Sequence, residues 1–178
     1  MKDSKPVEFD TSQALLLAID IEQRGYKFYT EAARATKDPR GRAMFQRLAQ
    51  DEVRHLDWLT GHKESLEKTG KWKAIQLTGE ALSLGGRVFP KTVGPRSGVK
   101  AKTRELAALS RGMQAEKDSM AFYKELAEAV SDLSGRATFQ RLAEEEEKHY
   151  LLLQAEHDYL SRSGFYFDTP EFSLEGLE

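Results

Sequence analysis

Phe45-Gln46-Arg47-Leu48-Ala49-Gln50-Asp51-Glu52-Val53-Arg54-His55 recurs 94 positions later as Phe139-Gln140-Arg141-Leu142-Ala143-Glu144-Glu145-Glu146-Glu147-Lys148-His149. In both copies Phe, Leu, Glu and His follow one another at steps of three and four residues, and Leu59 and Leu153 continue the series. That spacing marks one face of an α-helix. The rest of the stripe is apolar, so Glu52, His55, Glu146 and His149 stand where core residues belong.

The match continues outward from this stretch. Gly41-Arg42-Ala43 answers to Gly135-Arg136-Ala137, Phe28-Tyr29 to Phe122-Tyr123, and Glu22 to Glu116. Roughly 20 of 46 aligned positions are identical and the offset never slips, which indicates an internal duplication without insertions. Each unit reads as a helical hairpin. In the first helix Leu15, Glu22 and Tyr29 recur every seven residues, with Ala18, Ile19 and Tyr26 beside them. Asp38-Pro39-Arg40-Gly41 is turn chemistry, with Asp38 placed to cap the second helix and Pro39 at its first position. Leu109, Glu116 and Tyr123 repeat the first stripe in the second unit. Gly25 and Gly112 fall inside helices, at some cost to local propensity.

The units, about 12–68 and 104–162, are separated by a segment of another kind, about 70–103. From Gly70 to Gly98 it carries six glycines together with Pro90 and Pro95. It reads as a long crossover, with a short helix expected near Trp72 to Leu84. Segments of this length ordinarily have a functional or packing role. Two hairpins joined by one long crossover make a ferritin-like four-helix bundle. The tail, 163–178, interleaves Phe165, Tyr166, Phe167 and Phe172 with acids and Pro170, and is expected to lie as an extended aromatic segment on the bundle or on a neighbouring subunit. The whole chain, 1–178, therefore reads as one all-α domain.

Four carboxylates turned into a bundle interior would repel one another, and burying even one unpaired ion costs several kcal/mol. No Lys or Arg lies on the stripes to offset them. Two divalent cations would bring four positive charges against four negative, with neutral imidazoles completing the set. Residues three apart on a helix share a side, so each Glu-x-x-His pair offers an oxygen and a nitrogen ligand together. One Glu from each of two helices, and Glu-x-x-His from each of the other two, is the donor set known in di-iron and di-manganese carboxylate bundles. The expected metal residues are Glu22, Glu52, His55, Glu116, Glu146 and His149. A single E-x-x-H ordinarily means only an exposed Glu and a surface or core His, and a run such as Glu144 to Glu147 is ordinarily a solvated face. The register of the two copies is what singles out Glu52 and Glu146. A bundle that has kept the residues and lost its metal is the remaining structural reading.

Other residues carry weaker signals. Tyr29 and Tyr123 lie one stripe position beyond Glu22 and Glu116, where they can hydrogen-bond the ligands or simply fill the core. His62 follows His55 by seven residues and is placed to line the same channel, whereas His157 is out of phase and reads as a surface residue. Asp20, Asp51 and Glu145 are candidates to orient ligand histidines across helices. Trp58 and Trp72 read as packing residues, and Arg47 and Arg141 as partners of surface acids.

Composition removes several function classes. Lys plus Arg number 27 and Asp plus Glu 29, for a formal charge of −2, and this mixed balance does not suit a nucleic-acid groove. There is no cysteine, which excludes disulfides, thiol nucleophiles and Cys-ligated iron or zinc. Met1 to Asp10 has no apolar stretch of signal-peptide length, and the most apolar run, Ala14 to Ile19, is too short to span a bilayer. A cytoplasmic location is expected.

At E22-x6-Y29, E52-x-x-H55, E116-x6-Y123 and E146-x-x-H149 the chain resembles the rubrerythrin branch of the ferritin-like superfamily, over about Ser12 to Leu160. The resemblance implies a four-helix bundle around a non-haem di-iron centre, and a role in reducing hydrogen peroxide or oxidising ferrous iron. Two departures stand out. Typical rubrerythrins carry a rubredoxin domain with four cysteines, and this chain has none, so electrons would come from a separate donor such as a rubredoxin-type or flavin protein. Typical rubrerythrins also have a further glutamate three residues after the one matching Glu116. Here that position is Ser119, and the equivalent in the first repeat is Gly25, which implies a more symmetric site and puts peroxidase cycling in doubt. The ligand set favours iron or manganese, with zinc able to occupy it. The expected assembly is a homodimer or larger homo-oligomer. The leading function is an oxidoreductase acting on peroxide or dioxygen; the alternatives are a non-enzymatic iron-handling protein with a structural di-metal centre and an interaction module docking through its aromatic tail.

Overall fold

The computed structural model describes residues 7–9, 11–69, 75–77, 89, 101–161, 165–166 and 169–170. Four long helices dominate: α1 (Thr11–Ala35), α2 (Pro39–Thr69), α3 (Ala101–Ala129) and α4 (Leu133–Ser161). α1 packs on α2 and α3 on α4, as the duplication requires, and the two hairpins meet through α1 with α3 and α2 with α4. At 31 residues, α2 extends for about 46 Å.

The turns within the hairpins follow from single residues. Asp38 caps α2: its Oδ1 accepts hydrogen bonds from the backbone N–H groups of Arg40 and Gly41, at 2.8 and 3.0 Å. Asp132 repeats the device on α4, its Oδ2 accepting from Gly135 N–H at 2.8 Å. Each satisfies backbone donors that the first helical turn leaves unpaired. The ends of α1 and α3 are drawn in the same way, Arg42 donating to Thr36 O and Arg136 to Val130 O.

The core is duplicated too. Phe28, Tyr29 and Phe45 in one half, and Phe122, Tyr123 and Phe139 in the other, are essentially fully buried. Tyr29 stacks on Phe45 with centroids 6.2 Å apart, and Tyr123 on Phe139 at 6.3 Å. Each such ring contributes about 1.5–3 kcal/mol by leaving water, which helps offset the cost of the charged groups described below. All members of the apolar stripes on α2 and α4 are buried. Tyr26 is a correction: placed beside the buried stripe by its spacing, it is 44 % exposed, because it sits at the edge of the face and its polar tip tolerates water.

Two short pairings complete the described fold. β1 (Val7–Phe9) runs antiparallel to β2 (Ile75–Leu77), Glu8 opposite Gln76, and β2 approaches α3. The expected short helix near Trp72 to Leu84 is thus corrected at 75–77, which form a strand. The β-branched Ile75 suits an extended chain, and β1 supplies the backbone partners a lone helical turn would lack. The rest of that stretch, including Trp72, lies outside the described residues. In the tail β3 (Phe165–Tyr166) pairs with β4 (Thr169–Pro170), and β3 approaches α4; the aromatic side chains of the tail lie outside the described residues. Among the described residues no helix is long and apolar enough to cross a membrane.

Candidate metal centre

One turn near the middle of each helix supplies the site. α1 contributes Glu22, α2 Glu52 and His55, α3 Glu116, and α4 Glu146 and His149, none more than 3 % exposed. Their ligand atoms form two groups, Glu22–Glu52–His55–Glu146 and Glu52–Glu116–Glu146–His149, each with one atom per residue lying within 4.8 Å of the others. Glu52 and Glu146 belong to both groups. Glu22 is paired with His55 on one side and Glu116 with His149 on the other, so the sequence repeat becomes an approximate two-fold arrangement of donors.

Both imidazoles turn Nδ1 inward. His55 Nδ1 lies 3.1 Å from Glu22 Oε2 and 3.4 Å from oxygens of Glu52 and Glu146. His149 Nδ1 lies 3.1 Å from Glu146 Oε2 and 3.6 Å from oxygens of Glu52 and Glu116. The two rings face each other with centroids 5.5 Å apart.

Two tyrosines cross the bundle to hold the outer carboxylates. Tyr29 donates its hydroxyl to Glu116 Oε1, and Tyr123 donates to Glu22 Oε1. Burial, reinforced by the neighbouring carboxylates, pushes both phenols well above their ordinary range, so they remain proton donors.

The electrostatics are those of a site short of positive charge. Burial, then repulsion from Glu22 and Glu146, raises Glu52 well above the carboxylate range. Burial and Glu146 raise Glu116 to about 8. Glu146 goes the other way: burial opposes its ionisation, but the hydrogen bond from His149 and the adjacent imidazole of His55 outweigh that and hold it low. Glu52 and Glu146 are equivalent by the repeat, yet they split, as two like acids sharing a cavity must when both cannot ionise. Burial disfavours charge on the histidines, but the surrounding carboxylates win and raise both His55 and His149. Without metal, the cluster is therefore held together by protons.

The donors fit a pair of divalent cations. Glu52 Oε1, Glu116 Oε2 and Glu146 Oε1 are buried carboxylate oxygens without a hydrogen-bond partner among the described residues. Unpartnered acceptors at this depth are costly, and all three belong to residues of the two donor groups.

Of the three acids placed to orient histidines, only Asp51 does so. Its Oδ2 lies 3.3 Å from His149 Nε2 across the bundle, while Arg54 pairs with its other oxygen at 2.5 Å. Burial raises the Asp51 carboxyl, but the bond to His149 and the charge of Arg54 prevail and leave it low. Asp20 is a correction, since it is exposed and pairs with Arg24 within α1. Glu145 is another: it pairs with Lys148 one turn away, at 2.8 Å, and the longer side chain finds a surface cation before it reaches the interior. His62 belongs to neither ligand group; it sits in a surface pocket with Trp58, Thr138 and Arg141 and is paired with the Thr138 hydroxyl. His157 is partly exposed beside Asp158.

Arg141, expected to pair with a surface acid, has an aromatic partner among the described residues. Its guanidinium lies 4.0 Å over the Trp58 ring, and Trp58 in turn lies against His55 with centroids 5.3 Å apart. A planar guanidinium stacks well on an aromatic face. Reading the sequence also missed Phe89, a crossover residue buried against α1 close to Glu52. It lies outside the duplication, so no register pointed to it.

Fold and site together define a ferritin-like bundle with a candidate dinuclear carboxylate centre. The rubrerythrin family model matches residues 13–157, well over half of the chain, and the chain belongs to the rubrerythrin family. A hypothetical protein from Pyrococcus furiosus shares the fold, with a TM-score of 0.66 and 23 % identity over 89 % of this chain and 94 % of that one. No curated protein matches.

Proposed function

We propose that this protein is a non-haem di-iron oxidoreductase that reduces hydrogen peroxide or dioxygen with electrons from a separate protein. The observation that carries this is the pair of overlapping donor groups sharing Glu52 and Glu146. Glu52 and Glu146 would bridge the ions, Glu22 and His55 would cap one, and Glu116 and His149 the other. Held there, a pair of ferrous ions would supply the two electrons that, with two protons, reduce hydrogen peroxide to two waters.

The chain's own residues prepare for this chemistry. Tyr123 and Tyr29 fix the outer carboxylates by donating to one oxygen of each, leaving the other for the ion. Asp51 is placed to accept from the Nε2–H of His149, which would leave Nδ1, the nitrogen facing the carboxylates, to an ion. The packed rings of Phe28, Phe45, Phe122 and Phe139 keep bulk water from the centre. Having no cysteine, the chain would draw electrons from a rubredoxin-type or flavin protein. We place the reaction in the cytoplasm and the chain in a homodimer or larger homo-oligomer.

Anaerobic loading with Fe(II), followed by peroxide, tests the proposal. Two irons per chain and repeated peroxide consumption with a reductant are expected, and Glu52→Ala with Glu146→Ala should abolish both. Iron-independent behaviour of the wild type would overturn it. Ser119 favours a second reading. It stands where typical rubrerythrins carry their extra glutamate, buried and with an unpartnered hydroxyl among the described residues. A site without that ligand suits a non-enzymatic iron-handling protein, for which the double variant would lose stability and the wild type would show no repeated turnover.

A further inference from the structure

Phe89 reaches the centre from the unrepeated crossover. It is 3 % exposed, and its backbone φ of 56° lies in the left-handed region. A bulky residue stays there only when its surroundings enforce it. The ring lies against Phe28 with centroids 5.5 Å apart and edge-on to Tyr29 at 5.7 Å.

Gly25 provides the seat. A Cβ at that position would stand 3.0 Å from Phe89 Cε2 and 3.1 Å from Glu52 Cδ. Ring and carboxyl therefore close on the glycine too tightly even for a methyl group, and any side chain at 25 would push one of them aside. An apolar ring beside a buried carboxylate keeps that flank dry. Removing it would leave a cavity bordered by a polar group, which water enters readily. The second half has no such feature by descent: position 119, equivalent to 25, is a serine, and the crossover occurs once.

We infer that Phe89 is an access- and specificity-determining residue of the centre, its ring seated on Gly25 so as to close the α1 flank beside Glu52 to water, chelators and bulky oxidants. This rests on the di-metal reading above. The ring makes the two flanks of a duplicated site unequal, so that small ligands reach it by a route other than α1.

The test uses the full chain loaded with Co(II), whose spectrum reports occupancy, and measures the rate of extraction by EDTA. Phe89→Ala should retain two ions per chain and lose them about tenfold faster or more, because the apolar shell controls solvent access. Phe89→Leu, which keeps most of the apolar volume, should be faster than wild type by about threefold and carries the test if the alanine variant does not fold. Iron-loaded Phe89→Ala should also consume cumene hydroperoxide more nearly as fast as hydrogen peroxide. Two bound ions with extraction unchanged in both variants would overturn this inference alone. A wild type that binds no metal would remove the di-metal reading and this inference with it.

Discussion

His149 Nε2 lies 3.3 Å from Asp51 Oδ2, whereas His55 Nε2 has no partner among the described residues. The two histidines are equivalent in sequence, so the difference comes from the residues one step before each Glu, Asp51 and Glu145. The short aspartate side chain reaches across the bundle, and the longer glutamate folds back to Lys148. Outer partners of ligand histidines ordinarily account for about 10–100-fold in metal affinity. Asp51→Ala should therefore weaken the ion on the His149 side by that factor, so that an anaerobic titration that is biphasic in the wild type becomes nearly uniform. Glu145→Ala removes only a surface ion pair and should change affinity by less than about fivefold. Equal losses in the two variants would mean that the asymmetry is not felt by the metal. Tyr29→Phe and Tyr123→Phe form a matched pair: each leaves an outer carboxylate oxygen unpartnered, and both should weaken binding to similar extents, within about 10–100-fold. The six inward residues were legible in the sequence because each sits on an apolar stripe and appears twice. The outer partners were legible only as candidates, since side-chain reach across a bundle depends on distances that periodicity does not carry.

Among the elements, the helices were the most legible and the crossover the least. Seven-residue stripes, a cap and a proline mark α1 and α2, and the duplication restates both as α3 and α4. The caps can be weighed directly. Asp38→Ala and Asp132→Ala each remove acceptors for backbone N–H groups at a helix start, and each should cost about 1 kcal/mol in urea denaturation. They lie on different hairpins, so the double variant should lose the sum. Strong coupling between them would indicate that the hairpins do not fold as separable copies. By contrast Ile75–Leu77 became a strand because its partner, Val7–Phe9, lies almost 70 residues earlier, and a pairing at that separation leaves no periodic mark. Phe89 is illegible for a related reason: its role depends on the absent side chain at Gly25, which in the sequence reads only as a weak point in a helix.

The whole bundle is built around an interior that prefers protons or metal to nothing at all, and this sets its response to pH. In the metal-free protein His55 and His149 are raised by the carboxylates, so the stability they contribute is complete below their ordinary 6.5 and is lost as pH rises above it. Glu116, raised by burial and Glu146 to about 8, is favoured as the neutral acid. Its contribution is complete below its ordinary 4.5 and is lost between there and about 8. Glu146 and Asp51 are held low, so theirs is lost only in acid, below their ordinary values. The metal-free chain should therefore lose stability steadily from about pH 5 to pH 8. Metal reverses the slope, because ions bind deprotonated ligands and must displace these protons. Each displaced proton strengthens binding by about tenfold per pH unit, and tighter binding raises apparent stability. Melting curves of metal-free and Mn(II)-loaded protein between pH 5.5 and 8.5 should diverge, the first falling and the gap widening with pH, with proton release detectable by calorimetry in buffers of different ionisation enthalpy. A gap that stays constant across this range would mean that the cations do not replace the protons, and that the buried acids are neutralised in some other way.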